Sequence, residues 1–180
     1  GRIPGPVGTR NPMAAPFQIF SARDGYFAAA IFTNSLAVWQ HFCRIVGLPD
    51  LGNDERFKTN TGRTTHVDAL TEILQTNFKT KPAKYWLKVL SESDIPCAPV
   101  NNVKEVTEDE QVRHRGMIAT IPHHAKGTWR VANTPFKMGA STTGPGGASP
   151  GLGEHTHTIL SELLGLSDAE IESLGKTGAI

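Results

Sequence analysis

The sequence predicts an α/β protein, with an α+β part built from a short antiparallel sheet and amphipathic helices, on three observations. Phe17-Gln18-Ile19-Phe20 alternates apolar and polar, and a second strand-like run, Tyr26 to Ile31, follows the turn pair Asp24-Gly25. Between Leu36 and Leu90, apolar residues recur at helical spacing. After Val100 the chain becomes more polar, then offers two further strand-like runs and two closing helices.

The elements follow in order. Residues 1–16 hold four prolines and three glycines, a composition that blocks regular structure and marks a linker or shaped loop. After the hairpin, Asn34 or Ser35 caps a helix running to about Val46, with Leu36, Trp39, Phe42, Cys43 and Val46 as its buried stripe. Gly47 supplies a left-handed stop and Pro49 prevents re-entry. A second helix is predicted over Arg63 to Phe78, burying Val67, Leu70, Leu74 and Phe78. A third starts at Thr80, tolerates Pro82 in its first turn and contacts the core through Trp86, Leu87 and Leu90. It ends before Ile95-Pro96, because proline biases its predecessor towards extended backbone.

Beyond Val100, Asn101 to Arg115 predicts short helical turns. Met117 to Ile121 and Trp129 to Ala132 predict strands, joined by a turn at Ala125-Lys126-Gly127. Thr142 to Gly153 is an extended Gly/Pro/Ser segment. A helix over Glu154 to Leu164 follows. The last helix opens on a capping box, Ser167-Asp168-Ala169-Glu170, and stops at Gly175.

Composition narrows the function. Of 180 residues, 38% are hydrophobic and 19% charged, as in ordinary soluble domains. A net charge of +1 and the lack of a basic stripe give no electrostatic reason to expect nucleic acid. No apolar run approaches the about 18 residues that cross a bilayer, so no membrane partner is expected. Two cysteines cannot make a disulfide framework, and reduced thiols imply a cytoplasmic setting. The start carries no signal core, no transit pattern and no initiator Met, and reads as the middle of a longer protein.

Candidate chemistry is sparse. Adjacent His123 and His124 face apart on a strand, and His155 and His157 face apart on a helix, so neither pair shares a metal ion. No His-Glu-x-x-His, Cys-x-x-Cys, Gly-x-Ser-x-Gly or phosphate-loop pattern occurs. No metal and no covalent cofactor is therefore assigned. Cys97 beside a distant His is a conceivable thiol nucleophile, but its flanking prolines favour a packed corner. The loop around Gly8-Thr9-Arg10-Asn11 is the irregular segment with ligand chemistry: a glycine permits close backbone approach, and an Arg pairs with carboxylate or phosphate.

Several motifs, in order, resemble the family III CoA-transferases. They are Pro16-Phe17-Gln18-Ile19-Phe20 with Asp24-Gly25-Tyr26; Trp39, Cys43 and Gly47-Leu48-Pro49; and Asp54-Glu55-Arg56-Phe57 followed by Arg63. They continue with Ile95-Pro96-Cys97-Ala98-Pro99-Val100, Arg115-Gly116-Met117, Thr134-Pro135-Phe136 and Leu152-Gly153-Glu154-His155-Thr156. Glu55 stands where the family pattern has Pro.

The resemblance implies a Rossmann-like large domain with a small domain inserted in it, and two interlinked subunits, hence a homo-oligomer. Residues 1–16 would be the outgoing linker, 17–100 the small domain and 101–180 the returning segment of the large domain. The resemblance also implies chemistry: a carboxylate attacks an acyl-CoA thioester, passes through mixed anhydride and aspartyl-CoA, and moves CoA to a carboxylic acid acceptor. A racemase branch instead moves a proton beside the thioester carbonyl. CoA and acyl-CoA are thus substrates. In both branches the catalytic Asp lies in an amino-terminal half that nothing here matches, so no catalytic residue is assigned and the chain is expected to be inactive alone. The active-site loop corresponds to Val7–Asn11, giving Gly8, Thr9, Arg10 and Asn11 as candidates; it lacks the glycine run of formyl-CoA transferase. Glu154 and His155 are read as helix-start structure. An alternative of another class is a non-catalytic binding or dimerisation module.

Overall fold

A computed structural model describes residues 5–123 and 127–180. The predicted turn at Ala125-Lys126 and the partner imidazole of His124 lie outside the described residues. The fold is mixed α/β, with helices and short antiparallel sheets. The chain divides into two compact units, one ending at Asn101 and one spanning Asn102–Ile180.

In the first unit, β1 (Phe17–Ser21) and β2 (Tyr26–Ala30) pair antiparallel, with Phe17 opposite Ala30 and Ser21 opposite Tyr26. A third strand, β3 (Cys97–Pro99), adds to β2 with Cys97 opposite Ala29. The packed corner expected around Cys97 is instead an edge strand in which Cys97 is half-buried. Three residues, the last of them Pro99, are too few to show alternation, and proline is tolerated because the strand is at the edge. The outer edge of β1 is closed by side chains and one loop amide, that of Asn11, rather than by a strand. Thr9 Oγ1 accepts from the Ile19 amide at 3.4 Å, and the Gln75 side chain both accepts from the Ser21 N–H (3.0 Å) and donates to its carbonyl (2.6 Å). An amide side chain here replaces a ladder partner and blunts an aggregation-prone edge.

Helix α1 (Leu36–Ile45) begins at Ser35, whose Oγ accepts from the Val38 amide. Trp39, Phe42, Cys43 and Val46 are buried as expected, but Leu36 is exposed, since it occupies the first turn and overhangs the core. Gly47 has φ +81°, and the Gly47 and Leu48 amides return to Arg44 and Cys43, closing the helix with a Schellman motif. A 3-10 turn, Pro49–Asn53, follows.

The single helix expected over Arg63–Phe78 is two: α2 (Asn60–Thr65) and α3 (Val67–Phe78), broken at His66. Thr59 caps α2 by accepting from the Gly62 amide, which starts the helix before the apolar stripe begins. Gly62 is needed for close approach, because a Cβ there would collide with the Arg56 carbonyl oxygen. Helix α4 (Ala83–Ser91) starts after Pro82 and is not capped by Thr80, whose hydroxyl instead donates to the Asn77 carbonyl. The cap comes from the hairpin turn: Asp24 Oδ1 accepts from the Ala83 amide at 2.8 Å.

The core lies between the sheet and these helices. Phe78 sits at its centre, edge-to-face with Phe20, Phe27 and Trp86 at centroid distances of 4.9, 5.1 and 5.0 Å. Trp86 Nε1 donates to the Phe78 carbonyl, so the ring is also fixed in rotation.

The second unit starts with α5 (Val103–Glu108), whose Asn102 and Glu105 form a capping box, and α6 (Glu110–His114), capped by Asp109. Strands β4 (Ile118–His123) and β5 (Gly127–Ala132) form a hairpin, each reaching further than its predicted run. Helix α7 (Thr156–Glu162) is shorter than the expected Glu154–Leu164, because Glu154 turns back to accept from the Gly151 amide at 2.6 Å. Helix α8 (Asp168–Lys176) runs one residue past Gly175, and Glu170 reaches back to the Ser167 N–H and hydroxyl. Those bonds hold the Glu170 carboxyl below the usual carboxylate range. Among the described residues of this unit Ile171 is buried, whereas Trp129, Phe136, Leu152 and Leu163 are exposed and Ile118 and Ile121 half-buried.

Arg63 ties the first unit together. Its side chain is fully buried; Nε donates to the Ala15 carbonyl (2.6 Å), Nη1 to Phe57 (3.1 Å) and Nη2 to Thr33 (2.7 Å). Replacing it with Ala or Met leaves three inward carbonyls unpaired and is expected to cost about 3–5 kcal/mol. Arg63→Lys should recover little, because an ammonium does not span a planar fork. Urea unfolding followed by tryptophan fluorescence checks this; loss under about 1 kcal/mol would contradict the role.

Candidate functional site

The candidate loop lies before β1 and is shaped by its own backbone. Gly8 adopts φ +69°, a left-handed conformation that side chains disfavour. That turn brings the Arg10 amide to the Val7 carbonyl at 3.4 Å. The Asn11 amide then donates to the Phe17 carbonyl (2.9 Å), and Asn11 Oδ1 accepts from the Met13 amide (2.8 Å). The loop thereby runs alongside the start of β1.

A cleft of about 660 Å³ opens between this loop and the α2–α3 junction. Gly5, Pro6, Val7, Arg10, Asn11 and Pro12 line one side, and Thr64 and Val67 the other. Of the four predicted residues, Arg10 and Asn11 face the cleft; Gly8 shapes the turn, and Thr9 is spent on the β1 edge. Thr64 and Val67 had no sequence signal as lining residues, because the helix break that presents them was not legible.

Arg10 Nη1 contacts Asp68 Oδ1 at 2.6 Å. The Asp68 side chain is 90% exposed, so this pair lies in high dielectric and contributes under about 1 kcal/mol. A guanidinium so weakly committed can exchange one carboxylate for another, or for a phosphate. The cleft thus offers one cation, one side-chain amide, one hydroxyl and an apolar floor, which suits binding an anionic group.

Neither thiol is built for nucleophilic work. Cys43 is fully buried, and burial pushes its pKa up to about 12, so it stays protonated. Burial also pushes up the Cys97 thiol, which contacts the Leu87 carbonyl at 3.6 Å. A low thiolate fraction at neutral pH disfavours attack on a thioester. His157 pairs with Asp168 at 3.1 Å on an exposed surface, and His123 stacks on Trp129 at 3.8 Å. Among the described residues, no group of His, Cys, Asp and Glu is arranged to hold a metal ion. No helix among them is long and apolar enough to cross a membrane.

Comparison with known proteins gives a consistent likeness. The model of CoA-transferase family III matches residues 1–156. The chain is 31% identical over 176 residues to the succinyl-CoA:glutarate CoA-transferase of Mus musculus, covering 96% of this chain and 39% of that protein. It is 30% identical over 149 residues to the formyl-CoA:oxalate CoA-transferase of Rhodopseudomonas palustris strain BisB18, covering 83% of this chain and 35% of that one. Among solved structures, a CAIB/BAIF family protein from Brucella suis superposes with a TM-score of 0.76 at 30% identity, over 90% of this chain and 41% of that chain. The chain therefore spans well under half the length of these relatives.

The thiol environments predict an ordered reactivity. With a disulfide reagent at pH 7, Cys97 should label slowly and Cys43 only after denaturation. Labelling of Cys43 in the folded protein at the denatured rate would contradict its burial.

Proposed function

This chain belongs to CoA-transferase family III, and from that premise we propose that it is part of an enzyme that moves CoA from an acyl-CoA thioester to a carboxylic acid. The observation that carries the proposal is the family match over residues 1–156, joined to an anion-suited cleft at the entry to β1. In this reading residues 1–16 form the outgoing linker, 17–100 the small domain and 101–180 the returning segment of the large domain. The working enzyme is a homo-oligomer in the cytoplasm, with interlinked subunits.

The reaction needs a carboxylate that attacks the thioester carbonyl and expels CoA thiolate, giving a mixed anhydride. The thiolate then attacks the enzyme-side carbonyl, releasing the donor acid and leaving CoA as a thioester on the enzyme. The acceptor carboxylate repeats the two steps in reverse, taking CoA and freeing the enzyme carboxylate. We assign this nucleophile to a part of the polypeptide that precedes the matched segment. The isolated chain then does not turn over. The residues here have a binding role: the Arg10 guanidinium and Asn11 amide engage a carboxylate or phosphate oxygen, and Gly8 allows backbone approach. The named relatives are transferases, which favours transfer over the racemase branch. The alternative, a non-catalytic binding or dimerisation module, draws on the closed core of the first unit.

The test is a thioester-exchange assay with acyl-CoA donors and carboxylic acid acceptors. The isolated chain should give no transfer, and the protein expressed with its upstream coding sequence should. In that longer protein, Arg10→Ala should lower kcat/KM by roughly 10–100-fold, as expected for losing one charge-assisted hydrogen bond. Transfer by the isolated chain would refute the missing-nucleophile reading. Absence of transfer by the longer protein, with intact oligomer and no CoA binding, would favour the module.

A further inference from the structure

We infer that Asn60 is a positioning residue that sets the width of the cleft by holding its loop wall to α2. Its side chain makes two opposed hydrogen bonds to one stretch of backbone: Oδ1 accepts from the Ala15 amide at 3.2 Å, and Nδ2 donates to the Met13 carbonyl at 2.8 Å. This is the donor–acceptor pair that a strand residue offers across a ladder. Gln75 makes the same kind of pair with Ser21 further along β1, so the fold uses amide side chains as ladder partners twice.

Position makes Asn60 different from Gln75. Residues 13–15 join the cleft wall, 5–12, to β1. Asn60, Arg63 and Thr64 stand at i, i+3 and i+4, on one face of α2. From that face Asn60 grips Met13 and Ala15, Arg63 grips the Ala15 carbonyl, and Thr64 lines the opposite side of the cleft. One helix therefore both forms one wall and tethers the other. The Asn60 amide is itself fixed, donating from its backbone N–H to Asn34 Oδ1 at 3.1 Å.

The two grips differ in reach. Arg63 is fully buried and also holds Phe57 and Thr33, so its loss is felt through the whole unit. Among the described residues the Asn60 side chain holds only the 13–15 segment, where Arg63 also keeps the Ala15 carbonyl. The loop beyond it is tied by the exposed Arg10–Asp68 pair and by the bonds from Thr9 and Asn11 to β1. Removing the Asn60 amide should free the wall and leave the core closed.

This inference rests on the cleft being the working surface of the proposed transferase, but its test needs no substrate. Hydrogen exchange is followed in the wild-type chain, in Asn60→Ala and in Asn60→Asp, which keeps the acceptor and loses the donor. The Arg10 and Asn11 amides should exchange at least roughly 10-fold faster in Asn60→Ala, with an intermediate rate in Asn60→Asp. The Leu74 and Phe78 amides should keep their wild-type rates in both. Unchanged loop rates would overturn the inference. So would equal acceleration of loop and core amides, which would make Asn60 a general stabiliser. Should Asn60→Ala not fold, the loop-to-core ratio in Asn60→Asp decides the matter. Either outcome is independent of whether CoA transfer is observed.

Discussion

A buried guanidinium with no carboxylate partner among the described residues is the constraint around which the first unit is arranged. Arg63 is wholly removed from water, and burial lowers its pKa. Its charge is accommodated by three carbonyl dipoles from three separate segments, at Ala15, Thr33 and Phe57, and by the face of Trp39, 4.8 Å from the guanidinium carbon. A planar fork with five donors holds three such acceptors at once in a fixed geometry. The cost of burying the charge then becomes a demand for correct geometry: if any one segment is misplaced, a cation or a carbonyl is left unsatisfied.

Other features follow from meeting that demand. Gly62 lets the turn after Asp54 seat against α2, which brings the Phe57 carbonyl within reach. Asp54 and Arg56 pair through two nitrogens of the guanidinium, stiffening that turn and holding the Asp54 carboxyl below its usual range. Trp39 Nε1 has no hydrogen-bond partner among the described residues, so the indole is held by stacking on Phe42 and by the cation above it. The cleft is built outward from the same point, because the carbonyl that Arg63 holds belongs to the chain segment that continues into the loop wall.

The second unit is organised by local chemistry. Capping boxes at Asn102 and Ser167 and a two-stranded hairpin define its elements, while several large apolar side chains remain exposed. A two-stranded hairpin with little buried surface has little independent stability. The first unit, by contrast, closes an aromatic core around Phe78.

What could be read from the sequence was what depends on neighbours in the chain. The hairpin, the α1 stripe, the Ser35 and Ser167 starts and the Gly47 stop are local in origin, set by side-chain period and by backbone freedom. The ordered motifs were legible as a family likeness, although Asp54–Phe57 and Arg63 served there only as labels. Tertiary structure decided everything that joins distant segments. Asp24 caps α4 in place of Thr80, since the turn happens to meet that helix. Pro-flanked β3 is a strand only because β2 lies beside it. Thr64 and Val67 face Arg10 and Asn11 across the cleft, and Asn60 meets Met13 and Ala15, because Arg63 draws the Ala15 segment onto α2. A one-dimensional pattern carries periodicity and propensity, but not which carbonyl a buried cation will find.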